Sequence, residues 1–192
     1  MIDKILNLDK EFFLLINGCH NSFADFVMFW MSEKFIWIPL YLFFIFLIYR
    51  QYKLKKTLII ILFAAIMIAL SDQISVCLFK NIFHRLRPCH DPSLIDFVHL
   101  VKGKCGGQFG FVSSHATNTF AISVFMIKLI GKKYKYFTTL ILIWAILISY
   151  SRIYLGVHFP GDVIIGAFLG AFFGWFFMLI FNRYGEAIIG RK

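Results

Sequence analysis

The stretch Gly161 to Phe181, GDVIIGAFLGAFFGWFFMLIF, decides the fold. Asp162 is its only charged residue, and its length meets the ~20 helical residues needed to cross a hydrocarbon core of ~30 Å. Within such a core the backbone must satisfy its own hydrogen bonds, so the stretch is expected to be a helix. Pro160 and Gly161 open it, and Asp162 falls in its first turn, where a negative charge is favoured. Gly166, Gly170 and Gly174 recur at every fourth position, giving one face that another helix can approach closely. Packing inside a bundle is the first use for that face, and a homodimer seam is the alternative.

Working outward, four more apolar runs have the same character: Phe35 to Tyr49, Thr57 to about Leu78, Ser113 to Ile130 and Phe137 to Ile153. Only 16% of the 192 residues are charged and 60% are hydrophobic, whereas a soluble domain carries roughly a quarter charged residues. One all-α integral membrane domain over residues 1–192 is expected, with a bundle of five or six transmembrane helices in residues 33–183. Residues 1–32 read differently. Ile2, Ile5, Leu6, Phe12, Phe13, Leu15 and Ile16 alternate with Asp3, Lys4, Asp9, Lys10 and Glu11, and Asn17 to Asn21 interrupts the pattern. An interfacial amphipathic or re-entrant N-terminal segment fits this better than a full crossing. No cleaved leader is expected, since no small-residue cleavage site follows a short apolar core.

The net charge is +10, which raises nucleic acid as a partner. The placement of the charge argues against it. Arg50, Lys53, Lys55 and Lys56 fill one gap between spans; Lys128, Lys132, Lys133 and Lys135 fill or flank another; Arg183, Arg191 and Lys192 follow the last. Short basic gaps of this kind mark the cytoplasmic side of a membrane protein. Residues 79–112 and Tyr154 to Pro160 then fall on the outer, extracytoplasmic face. Lys80, Arg85, Arg87, Lys102, Lys104 and Arg152 lie there against the charge trend. An anionic ligand would account for them.

Three clusters on that face carry chemistry. In Lys80 to Pro88, KNIFHRLRP, the two outer cations are seven residues apart, so on a helix they share a face with His84 between them. Pro88 should end that helix. Snorkelling of Lys80 and Arg87 to lipid headgroups is the alternative use. Ser113, Ser114 and His115 open a span, where exposed N–H groups and the helix dipole favour an anion and His115 can move a proton; a plain helix cap is the alternative. In Ser151 to Asp162, SRIYLGVHFPGD, Arg152 offers a planar fork for phosphate, and Asp162 can orient the ring of His158. A capped helix beside an incidental histidine is the alternative there.

The patterns K-x6-R-P at Lys80 to Pro88, S-x-H at Ser113 to His115 and S-R-x5-H-x3-D at Ser151 to Asp162 resemble the three signature motifs of the type 2 phosphatidic acid phosphatase superfamily. The motif-bearing part, Lys80 to about Phe181, covers about half of the chain. One departure is visible: where the family usually has Pro-Ser-Gly-His, this chain has Val112-Ser113-Ser114-His115. The resemblance implies a lipid phosphatase in which His158 attacks phosphorus, Asp162 orients it, and His115 protonates the leaving oxygen and then activates water. It implies that Lys80, Arg87, Arg152, Ser113 and the Ser114 N–H hold the phosphate oxygens. Three fixed cations can neutralise a phosphate monoester of charge about −1.5 to −2, so no metal and no cofactor are expected.

Asp72 could orient Lys80 or serve the packing, and His84 faces either substrate or headgroups. Cys89 and Cys105 share the outer loop and form a candidate disulfide, with free thiols the alternative. Cys77 reads as an ordinary buried residue. The expected partners are the bilayer and an amphiphilic lipid phosphate, with no nucleic acid, in a monomer or else a homodimer. Undecaprenyl diphosphate, lipid A phosphate, phosphatidylglycerol phosphate and phosphatidate are the candidate substrates. A bacterial inner-membrane protein acting on an envelope lipid from the periplasmic side is the first choice. The rival class is an anion or lipid-phosphate transporter, which should show charges deep in the spans and broken helices near the midplane.

Overall fold

The computed structural model describes residues 2–185, so Arg191 and Lys192 of the C-terminal basic cluster lie outside the described residues. The main helices are α1 (Ile2–Gly18), α2 (Ser22–Ser32), α3 (Ile38–Ile74), the short α4 (Asn81–Phe83), α5 (Ser114–Ile130), α6 (Phe137–Tyr154) and α7 (Pro160–Ile180). Among the described residues there is no strand, only an isolated antiparallel bridge between Leu86 and Phe109.

The glycine face of α7 packs inside the bundle, against α5. A Cβ on Gly166 would stand 2.9 Å from the Ser113 carbonyl oxygen, and one on Gly174 would stand 2.5 Å from that of Ala121. At Gly170 it would overlap the Thr117 carbonyl. Only glycine lets the two backbones come this close. The seam has a consequence for the site, because it brings the first turns of α5 and α7 together: the Ser113 N–H donates to the Asp162 carbonyl at 3.0 Å. Around the seam, Phe125, Trp144, Phe173 and Phe177 form the core with Phe44, Ile60 and Met67 of α3. Outward faces stay apolar, as a lipid solvent requires; Leu140 and Phe168 are 64% and 71% exposed. A Gly170→Leu variant should therefore lose both folded yield and activity, since overpacking against backbone costs about 1–3 kcal/mol or more. Melting in detergent checks this, and an unchanged transition would refute the close seam.

Three helical stretches are long and apolar enough to cross a membrane, Lys34–Phe83, Phe137–Tyr154 and Pro160–Gly185, or four if α1 and α2 count as one bent span. The five or six expected crossings differ from this count for two reasons. Phe35 to Tyr49 and Thr57 to Leu78 belong to one helical stretch, broken in dihedral angles only at Lys53 (φ 60°, ψ 177°). α5 has 17 residues, the lower end of the crossing range.

α1 and α2 meet at 115°, and the corner is fastened to the loop between α4 and α5 and to the end of α6. Asn17, 1% exposed, donates to the carbonyls of Tyr154 (2.7 Å) and His99 (2.9 Å) and accepts the His99 N–H (2.8 Å). Asp25 accepts from the Tyr154 hydroxyl at 2.7 Å and faces His99 Nε2 at 3.0 Å. In the loop between α4 and α5, Cys89 and Cys105 are bridged, with Cα atoms 6.0 Å apart. Cys77 is exposed, contrary to the expectation of a buried residue, because it lies on the outward side of the π-helical turn Ser75–Lys80 that follows α3.

Candidate active site

The third cluster is shaped by a turn that only glycine allows. Gly156 has φ +80°, and a Cβ there would meet the His99 carbonyl oxygen at 2.8 Å. The chain bends back so that the N–H groups of Val157 and His158 both donate to the Arg152 carbonyl, each at 3.2 Å. Arg152, at the end of α6, and His158, just before α7, are thus held together by backbone. The Arg152 guanidinium also donates to the Ser32 hydroxyl at the end of α2.

The first cluster reaches the same place by a different route from the one expected. The helix does not run on to Pro88; it stops at Phe83, with His84 in the left-handed region (φ 46°). Lys80 and Arg87 therefore do not share a helical face. Arg87 lies in extended chain, where its N–H donates to the Gln108 carbonyl at 3.1 Å. Its Nη1 donates to the Val157 carbonyl and to His158 Nε2, both at 3.1 Å. Lys80 comes from the helical side and donates to Ser114 Oγ at 3.0 Å; that hydroxyl is also 2.8 Å from Ser75 Oγ. The serine that replaces the family's usual glycine thus ties Lys80 to the start of α5.

Lys80, Arg87, Ser114, His115, Arg152 and His158 line one cavity of about 590 Å³. Ser113 is fully buried at the N-cap of α5 and does not line it. Asp72 lines the cavity too, but it faces Asn118 (3.4 Å), and among the described residues no ion pair joins it to Lys80. His84 is placed outside the cavity, exposed, with its ring 4.8 Å from that of Phe109. The helix break turns it away from Lys80 and Arg87.

His158 is 2% exposed. Burial first, then the charges of Arg87, Arg152 and Lys80, push it well below the ordinary histidine range, so the ring is neutral. Because an Arg87 N–H points at Nε2, that nitrogen carries the lone pair and the hydrogen-bond network assigns the proton to Nδ1. Nδ1 faces Asp162 Oδ2 at 3.5 Å. Asp162, with no exposed surface, accepts the Phe159 N–H on Oδ2 (3.0 Å) and Arg85 Nη1 on Oδ1 (2.8 Å).

Arg85 and its second partner, Asp9, were not among the sequence-derived site residues. Arg85 Nη2 is 2.6 Å from Asp9 Oδ2 of α1, the guanidinium lies 4.3 Å over the Phe159 ring, and Asp9 Oδ1 accepts the Gly161 N–H at 2.8 Å. A chain of charge thus runs Asp9, Arg85, Asp162, His158. Arg85 had a signal, as a cation on the wrong face; Asp9 had none.

The chemistry favoured by this arrangement is anion binding beside a nucleophile. The Nε atoms of Arg87 and Arg152 and the Ser113 hydroxyl are buried without a hydrogen-bond partner in the chain. Buried donors in such a state call for an acceptor, and phosphate oxygens are a good one. Among the described residues, one group of His and Cys side chains is close enough to share an ion, Cys89, His90 and Cys105. Its sulfurs are already joined to each other.

A membrane-embedded helix bundle with a carboxylate-oriented neutral histidine under three cations is the class this fold and site define. Residues 68–186 match the family model described as PAP2 superfamily, and the chain belongs to that superfamily. It is 35% identical over 184 residues to a lipid A 4'-phosphatase of Bacteroides thetaiotaomicron, covering 95% of this chain and 81% of that one. It is 30% identical to an undecaprenyl-diphosphatase of Sulfolobus acidocaldarius, covering 88% of this chain and 76% of the other. Its fold is also that of a transmembrane PAP2-type phosphatidylglycerolphosphate phosphatase from Bacillus subtilis, with TM-score 0.71 at 20% identity over 94% of this chain and 88% of that chain. The chain is an integral membrane protein.

Proposed function

We propose that this PAP2-superfamily lipid phosphatase works through a phosphohistidine. His158 Nε2 attacks phosphorus and the bond to the lipid oxygen breaks; His115 gives that oxygen its proton. His115 then takes a proton from water, which attacks phosphorus, breaks the P–N bond and releases inorganic phosphate. Asp162 keeps the proton of His158 on Nδ1 and balances the positive charge that grows on the ring. Lys80, Arg87 and Arg152 hold the non-bridging oxygens, aided by the Ser114 N–H, while Ser113, which does not line the cavity, has no phosphate contact in this reading. The carrying observation is a deprotonated Nε2, met only by Arg87 Nη1 among the described residues, beside guanidinium Nε atoms that have no hydrogen-bond partner in the chain. Three cations supply the charge that a metal supplies elsewhere, so phosphate release is expected to continue undiminished in EDTA.

The substrate in this reading is a bacterial envelope lipid. Lipid A phosphate stands first and undecaprenyl diphosphate second, supported by the two curated relatives; phosphatidylglycerol phosphate and phosphatidate follow. If the break at Lys53 separates α3 into two crossings, these make five with α5, α6 and α7. The basic gaps then lie inside, and the cup and loop 79–112 lie outside the inner membrane. The glycine ridge is used up within the chain, which supports a monomer. Phosphate release from a panel of these lipids in detergent, with EDTA present, tests the proposal. Release from none of them, or full loss in EDTA, would reject it.

One pH effect follows from His158. Its proton affinity is lower in the folded chain than in the unfolded one, where the ring titrates near ~6.5. Below that pH the unfolded state binds the extra proton, so stability is full above ~6.5 and falls as the pH drops towards the folded value. The melting temperature should decline between pH 7 and pH 5, and His158→Asn should flatten the decline. Identical slopes in the two proteins would contradict it.

A further inference from the structure

The catalytic cup has a second chamber that the hydrolysis of a simple phosphate does not need. A separate cavity of about 270 Å³ meets the first at Lys34, His115 and Arg152 and extends outward between the end of α2 and the outer loop. Its far wall carries Lys104 with Glu33 and the rings of Phe29 and Phe35, while Lys34 stands where the two cavities meet. Both lysines are exposed, and among the described residues neither forms an ion pair. Lys104 and its neighbour Lys102 stand over the Phe29 ring at 5.5 and 3.6 Å. Glu33 is the sole carboxylate on the wall, so the chamber is positive overall. By contrast, the large cavity continues the other way, through Tyr41, Ile68 and Ile122 into an apolar groove between α3 and α5.

We infer that this second chamber is a headgroup subsite that takes a further anionic group of the substrate, held by Lys34 and Lys104 while the scissile phosphate sits on Arg87 and Arg152. The inference rests on the lipid-phosphatase reading and deepens it by assigning residues to the second anionic group of its substrate. Both cavities touch His115, the proposed donor to the leaving oxygen, so whatever is bonded to that oxygen can enter either. Apolar chain matches the groove; a charged, polar body matches the chamber. The chemistry favoured is an amphiphile carrying a second phosphate on the leaving-group side. That phosphate is either joined directly, as in a diphosphate, or carried across a sugar.

The test compares the parent with Lys104→Gln, Lys34→Gln and the double variant on three substrates in mixed micelles. These are phosphatidate, a polyprenyl diphosphate and a bis-phosphorylated acylated glucosamine disaccharide. The double variant should raise KM roughly tenfold for at least one bis-anionic substrate, the loss of one charge-assisted contact. Its KM for phosphatidate should change less than twofold, and kcat should hold throughout. A KM effect on the diphosphate alone places the second phosphate next to the scissile one. An effect on the disaccharide alone places it across the sugar. Equal losses on all three substrates, or no loss on any, overturn the subsite while leaving the phosphatase reading intact. Failure of the parent to release phosphate from any of them overturns both.

Discussion

Replacing His158 by alanine is expected to abolish phosphate release, by ~10⁴-fold or more, with little change in folding at neutral pH. The size of the effect follows from its place in the proposed cycle: a missing nucleophile leaves only the binding and electrostatic contribution of the cup. The structure offers no substitute. His115 lines the same cavity, but no carboxylate stands within ion-pair distance of its ring among the described residues, whereas Nδ1 of His158 faces Asp162. Substrate affinity should persist, because the cations belong to Lys80, Arg87 and Arg152. Phosphate release with product-inhibition assays would show kcat lost and phosphate binding kept. A variant that turns over within tenfold of the parent would remove the nucleophile from the scheme.

The second large effect is expected from Arg85, which touches no part of the cavity. Arg85→Met should lower kcat by ~10²-fold with KM nearly constant, the range seen when a residue that orients an active group is lost. It should also cost about 3 kcal/mol in stability, because the wholly buried Asp162 carboxylate loses its charge partner. Arg85→Lys should recover only part of either, since one ammonium cannot span Asp9 and Asp162 as the guanidinium fork does. Detergent melting and steady-state kinetics on both variants check it. A rise in KM at constant kcat would instead make Arg85 a substrate contact. Asp9→Asn should follow in milder form, because the Asp9 carboxylate is partly exposed.

The residues that form the cup were legible because each sits beside a helix boundary that the sequence marks: Pro160 and Gly161 before Asp162, paired serines before His115, an apolar run before Lys80. The glycine face was legible as well, and its use within the bundle explains how the second and third clusters meet. Other features lay beyond local patterns. His84 takes a left-handed conformation that no glycine or proline announces, and this breaks the helix expected to join Lys80 to Arg87. The non-helical residue Lys53 inside α3, by contrast, falls in the basic gap that the sequence places between Phe35 to Tyr49 and Thr57 to Leu78. Arg85 and Asp9 are 76 residues apart, and their pairing depends on how α1 docks against the start of α7. An amphipathic helix shows which face is polar but not which partner that face will meet.

Trapping a covalent bond between His158 and phosphorus would separate the phosphohistidine route from any other. Parent protein mixed with a ³²P-labelled lipid phosphate and quenched in alkali within a single turnover should retain label, because a phosphohistidine survives base and is lost in acid. Peptide mapping should then place the label on His158, and label should be absent from His158→Ala protein. Label found on another residue, or undiminished in the His158→Ala protein, would contradict that route.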